Sequence, residues 1–216
     1  YAIVNTRHFG GDFYPGKIRW LSAILGRIAS KKASRIIGIS NAVVEILHRN
    51  HEVYNSEKIT RIYYGFGSTR FEHTNEKFVA KKSNQIIIGT IARLSPEKDL
   101  ATLLKAFSQF RKHESNASLQ IIGEGPDSKY LKEMAHSLGL EKSIDWLGKQ
   151  REVLTYLNNF DIFVLTSKFE GFGMVLLEAM YASKRIVCSR NSAIIESGSI
   201  VSNGIFSISG CPALYG

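Results

Sequence analysis

Short runs rich in Ile and Val alternate along this chain with amphipathic stretches of ten to fifteen residues, and that alternation leaves few folds open. A buried strand needs an unbroken apolar run, whereas a helix lying on a sheet needs one apolar stripe, so the pattern predicts βα units stacked on a parallel sheet. Strands are expected near 2–5, 35–39, 59–63, 86–91, 118–122, 144–147, 162–165 and 185–188. Helices are expected near 17–32, 41–49, 100–113, 128–138, 151–158 and 174–182. Ser40 and Asp99 stand where N-caps belong, and Gly139 stands where a helix should stop.

The pattern lapses between Gly65 and Gln85 into small polar residues and charges, which predicts a linker over 67–85. Residues 1–66 then hold too few strands to cover their own helices and are expected to be the end of a domain. Residues 86–216 form a second unit of four or five βα repeats. Residues 197–216, rich in Ser and Gly, do not read as a closing helix, and the chain is expected to be a piece cut at both ends.

Charge divides along the same line. Residues 1–82 carry 14 basic and 6 acidic side chains, against 14 and 13 in the remainder. A local surplus of this kind points to an anionic partner for the first unit, a membrane surface or nucleic acid. The helix expected over 17–32, with Lys17, Arg19, Trp20, Arg27, Lys31 and Lys32 around an apolar stripe, suits anionic lipid, or equally a core-packed helix with a basic outer face. No recognition motif or stacking platform accompanies the charge, so nucleic acid is not expected. Cys188 and Cys211 have neither the number of a disulfide framework nor the spacing of a zinc site, which favours a reducing, cytoplasmic setting.

Three segments stand where chemistry occurs on parallel sheets, at the carboxyl ends of strands. In Ser167-Lys168-Phe169-Glu170-Gly171-Phe172-Gly173-Met174, a strand runs into a two-glycine loop and then a helix that carries Glu178. Gly171 and Gly173 allow backbone N–H groups and the helix N-terminus to approach a phosphate. Glu170 and Glu178 can each take two hydroxyl hydrogen bonds, as a sugar diol requires. On spacing alone an ordinary strand-to-helix turn fits equally well. In Gly89-Thr90-Ile91-Ala92-Arg93-Leu94-Ser95-Pro96-Glu97-Lys98-Asp99, Arg93 and Lys98 offer a fork and a point charge to a diphosphate, although such loop cations are more often merely solvated. The third, Ile122-Gly123-Glu124-Gly125-Pro126, lacks the third glycine of a dinucleotide site and the lysine of a P-loop, and reads as a structural turn. His8, after the first strand and before Gly10-Gly11, is a further candidate.

Together with Trp146-Leu147-Gly148, Glu178-Ala179-Met180 and the earlier Ile36-Ile37-Gly38-Ile39-Ser40 and Ile62-Tyr63-Tyr64-Gly65-Phe66, these segments resemble the family 4 retaining glycosyltransferases in order and approximate spacing. The resemblance covers nearly the whole chain up to about Glu196. It implies the GT-B architecture: two Rossmann-like α/β domains facing a cleft, with 1–66 the remnant of the acceptor domain and 86–216 the donor domain. It implies that Arg93 and Lys98 hold the diphosphate of a nucleotide-sugar such as a UDP- or GDP-sugar, and that Gly171, Phe172 and Gly173 present backbone to phosphate and sugar. Glu178 would bind ribose, Glu170 the donor sugar, and His8 would lie near the reacting carbon.

No metal or other cofactor is expected, and the acceptor would be a glycan or lipid-linked hydroxyl at the cytoplasmic membrane face, as in polysaccharide or lipopolysaccharide biosynthesis. The chain departs from the family in having Ser183-Lys184-Arg185 where Gly-x-Pro is usual. Two alternatives remain: a catalytically inactive nucleotide-binding or interaction module, which would bind without turnover, and a GT-B epimerase, which product analysis with and without acceptor distinguishes.

Overall fold

The computed structural model describes residues 2–8, 19–65, 85–200 and 206–207. The expected linker lies outside the described residues except for Gln85, as do Lys17, Gly10, Gly11 and Cys211. Two compact units are present. One comprises Tyr1–Phe66, Phe169–Gly173 and Asn191–Ile200; the other comprises Gly67–Lys168, Met174–Arg190 and Val201–Gly216.

In the first unit, β1 (Val4–Arg7), β2 (Arg35–Gly38) and β3 (Ile59–Arg61) form a parallel sheet in that order. Helix α1 (Arg19–Lys32) connects β1 to β2, and α2 (Asn41–Arg49) follows β2. Ser40 caps α2 as its residue type requires, its Oγ accepting from the Val43 N–H at 3.1 Å. His51 lies past the end of this helix, with φ of 52°. A small core of Ala33, Ile36 and Leu47 lies under the sheet.

The second unit contains β4 (Ile86–Ile91), α3 (Leu100–Arg111), β5 (Ala117–Ile122), α4 (Ser128–Ser137), β6 (Ile144–Gly148), α5 (Val153–Asn159), β7 (Ile162–Leu165), α6 (Met174–Tyr181), β8 (Arg185–Cys188) and β9 (Phe206–Ser207). All pairings are parallel and the strand order is β6-β5-β4-β7-β8-β9. Numbered within the unit this is 3-2-1-4-5-6, the doubly wound order. The direction of winding therefore reverses between β4 and β7, and it is at the carboxyl ends of strands at such a reversal that open α/β sheets bind their ligands. Behind them Leu104, Phe107, Leu119 and Ile121 are essentially fully buried. Gly139, with φ of 68°, ends α4 as expected.

Two expectations require correction. Asp99 occupies the N-cap position of α3, but its backbone is left-handed (φ 47°, ψ 44°) and its side chain makes no cap bond. The carboxylate turns instead to the Thr102 hydroxyl at 3.0 Å and to Lys168 Nζ at 3.5 Å. The stretch beginning at Ser197, expected not to be helical, contains the last turn of a helix, α7 (Ser192–Ile200). Burial of Ala193 and Ile194 and a bond from Ser197 Oγ to the Ala193 carbonyl at 2.8 Å outweigh the low helix propensity of its Ser and Gly residues.

Candidate functional site

At the carboxyl end of the second sheet, the loop after β4 is fixed by backbone rather than by side chains. Ala92 N–H donates to Ile122 O at 3.0 Å, Leu94 N–H to Glu124 O at 3.1 Å, and Asp127 N–H to Leu94 O at 2.9 Å. Arg93 is thus held on both sides while its own side chain remains exposed. The glycines of the third segment permit this approach: a Cβ on Gly123 would lie 1.9 Å from the Ala92 carbonyl oxygen, at φ of 136°. The segment is a structural turn, as expected, and what it positions is Arg93.

A 3-10 turn over Pro96–Lys98 then presents Lys98, half-buried. The loop after β7 is pinned to this turn, with Lys168 N–H donating to Glu97 O at 2.8 Å and Thr166 Oγ1 to Lys98 O at 3.0 Å. Between the two cations in sequence lies Glu97, whose role sequence reasoning missed. Burial alone would raise its pKa. The Ser95 hydroxyl at 2.6 Å, its own backbone N–H, Lys98 and Arg93 together outweigh that and hold the carboxyl below its usual range. The charges of both Arg93 and Lys98 thus act on the Glu97 carboxyl. Glu178 is half-buried on the second turn of α6, whose Leu176, Leu177 and Ala179 are buried.

His8, Glu170, Gly171, Phe172 and Gly173 belong to the first unit. There, the carboxyl ends of β1, β2 and β3 gather His8, Ser40, Tyr63 and Tyr64 around the loop bearing Gly171 and Phe172. His8 Nδ1 bonds the Tyr64 hydroxyl, and the two rings stack. Ser40 Oγ donates to Gly171 O at 2.6 Å, and a Cβ on Gly171 would meet the His8 carbonyl at 2.1 Å. Phe172 is buried against Tyr63 and Tyr64, with Ser197 Oγ donating to its carbonyl. Gly173, at φ of 76°, turns the chain into α6.

Glu196 completes this cluster, and no sequence signal marked it. Its carboxylate accepts from the Asn41 and Ala42 N–H groups at 2.7 and 3.3 Å, meeting the free donors at the start of α2. These partners lie about 155 residues apart, so no local motif connects them. Burial first, then the bond to Glu196 and its negative charge, push the Tyr63 hydroxyl above its ordinary 10.0, with Arg61 opposing. A raised pKa means that Tyr63 contributes stability fully below pH 10.0, and that this is lost as pH rises through the folded value. Ultraviolet titration is expected to show a tyrosinate component above 10.0 that Tyr63→Phe removes; an unchanged titration curve contradicts the assignment.

The second unit is thus a doubly wound parallel sheet with two cations, Arg93 and Lys98, at its switch point. The family model for glycosyl transferases group 1 matches residues 72–205, well over half of the chain, and the chain belongs to that family. It is 28% identical to the alpha-monoglucosyldiacylglycerol synthase of Acholeplasma laidlawii over 89% of this chain and 54% of that protein. It is 26% identical to the N-acetyl-alpha-D-glucosaminyl L-malate synthase of Bacillus anthracis, over 90% of this chain and 51% of that protein. The chain spans about half the length of these curated relatives. Among solved structures, HepE of Anabaena in complex with UDP and glucose superposes with a TM-score of 0.73 at 22% identity, covering 90% of this chain and 54% of that one, which establishes the GT-B type of fold.

Proposed function

We propose that this chain carries the donor site of a retaining, metal-independent glycosyltransferase that moves a sugar from a nucleotide-sugar to a hydroxyl on a glycan or lipid-linked acceptor. The observation that carries the reading is the pinned pair Arg93 and Lys98 at the switch point of the second sheet. Fixed cations there stabilise the negative charge that grows on a diphosphate as its bond to the sugar breaks, and they need no reorganisation when it does. In this reading Gly171, Phe172 and Gly173 present backbone to phosphate and sugar, Glu178 takes the ribose hydroxyls, Glu170 the donor sugar, and His8 lies near the reacting carbon. The names of both curated relatives, one a lipid glucosyl synthase and one an N-acetylglucosaminyl malate synthase, support transfer onto a hydroxyl-bearing acceptor. Incubating the protein with UDP- and GDP-sugars and candidate acceptors tests this. Nucleoside diphosphate release that requires acceptor, with unchanged anomeric configuration and insensitivity to chelators, is expected; release without acceptor, or an inverted product, overturns it.

The proposal extends to a site at the cytoplasmic membrane face. On α1, Trp20, Ile24 and Ile28 are 61%, 45% and 58% exposed, and Arg27 and Lys31 lie over the ring of Tyr54 at 5.9 and 5.7 Å beside them. An outward apolar stripe flanked by cations suits an anionic bilayer. No helix among the described residues is long and apolar enough to cross a membrane. Co-sedimentation with phosphatidylglycerol vesicles, but not with neutral phosphatidylcholine, is expected, and Ile24→Asp with Ile28→Asp should abolish it without changing nucleotide binding. Equal sedimentation of the doubly substituted chain contradicts the assignment.

A further inference from the structure

The opposite end of the second sheet holds a cavity of about 300 Å³. It lies where Gln85 leads into β4, where Ala117 opens β5 and where Ser143 precedes β6, so it is at the amino ends of the strands, away from the Arg93 loop. Its chemistry is cationic and hydroxylic. Arg111, Lys142, Ser118 and Ser143 line it, and no carboxylate does among the described residues. Arg111 closes α3, and its Nη2 donates to the Ser115 carbonyl at 2.6 Å, which fixes the plane of the guanidinium. Its Nε is buried and has no hydrogen-bond partner among the described residues. A guanidinium partly withdrawn from water, with no carboxylate among the lining residues, is costly, and an anion in the cavity offsets that cost through its charge. The acidic neighbour of Lys142 in sequence, Glu141, is engaged by His136.

We propose that this cavity binds the phosphoryl group of a small phosphomonoester. A planar fork held in place, an ammonium and two partly enclosed hydroxyls provide donors from several directions, which matches three phosphoryl oxygens better than the two of a carboxylate. The volume accommodates the phosphoryl group and a body of a few carbons. Such a ligand would bind the donor-domain sheet at the end remote from the proposed transfer site.

The test is a titration of the isotopically labelled 216-residue chain, followed by nuclear magnetic resonance, with glycerol 3-phosphate, inorganic phosphate and acetate at matched ionic strength. Saturable shifts at the amides of Arg111, Ser118 and Ser143 are expected with glycerol 3-phosphate, with weaker binding of inorganic phosphate and none of acetate. Lys142→Gln should weaken binding about tenfold while leaving UDP titrations unchanged. Arg111→Gln should do the same, and because that variant also loses the bond to Ser115, Lys142→Gln stands as the independent check. Absence of saturable binding, or binding by both variants as tight as that of the unsubstituted chain, overturns the site. Acetate binding as tightly overturns the phosphoryl assignment, and inorganic phosphate binding as tightly overturns the monoester.

Discussion

Alanine at both Arg93 and Lys98 is expected to weaken binding of UDP or GDP by roughly a thousandfold, and each single substitution by about 10- to 100-fold, as calorimetry would read it. Charge-assisted bonds to a diphosphate are among the stronger polar contacts, and here the backbone on both sides of Arg93 is already committed to the loop after β5. The binding energy is therefore not spent on ordering the loop. Glu97 supplies a control of opposite sign. Its carboxyl is held low partly by these two cations, so Glu97→Gln removes a competitor and should tighten diphosphate binding at neutral pH. If the double alanine variant binds UDP and GDP as well as the unsubstituted chain does, the cations are only solvated loop residues.

Gly123→Ala is the second large effect. The added carbon would sit 1.9 Å from a backbone oxygen that itself belongs to a hydrogen-bonded loop, and at φ of 136° the residue resists any side chain. No flexible neighbour can yield, so the clash separates the loops after β4 and β5. A loss of about 4 kcal/mol or more is expected, enough to consume much of a typical domain's stability. Denaturant melts would show this as a lower midpoint or as a chain that does not fold. A midpoint close to that of the unsubstituted chain would mean that the two loops do not need to touch, and that Arg93 is positioned by something else.

The parallel sheets were legible because each strand from β4 to β7 is a short apolar run followed by a helical period, and local pattern suffices for that. The edge on which Arg93, Lys98 and Glu178 stand follows from the same pattern, since a loop after a parallel strand has only one end of the sheet to occupy. Less local features escaped. Asp99 has the residue type of an N-cap, but its carboxylate is drawn to Lys168, which lies on the loop after β7. Helix α7 is built from residues of low intrinsic propensity and is carried by burial and by Glu196, whose partners sit at the start of α2. The pairing of His8 with Tyr64 likewise joins the ends of β1 and β3, and only the fold brings them together.

Titrating UDP and GDP into the isotopically labelled chain and following its backbone amides by nuclear magnetic resonance tests the central claim most directly. The donor-site reading predicts saturable shifts concentrated at residues 92–99 and 171–178, lost when Arg93 and Lys98 are both alanine. Absence of saturable shifts, or shifts confined to the amino-terminal end of the second sheet, would contradict it.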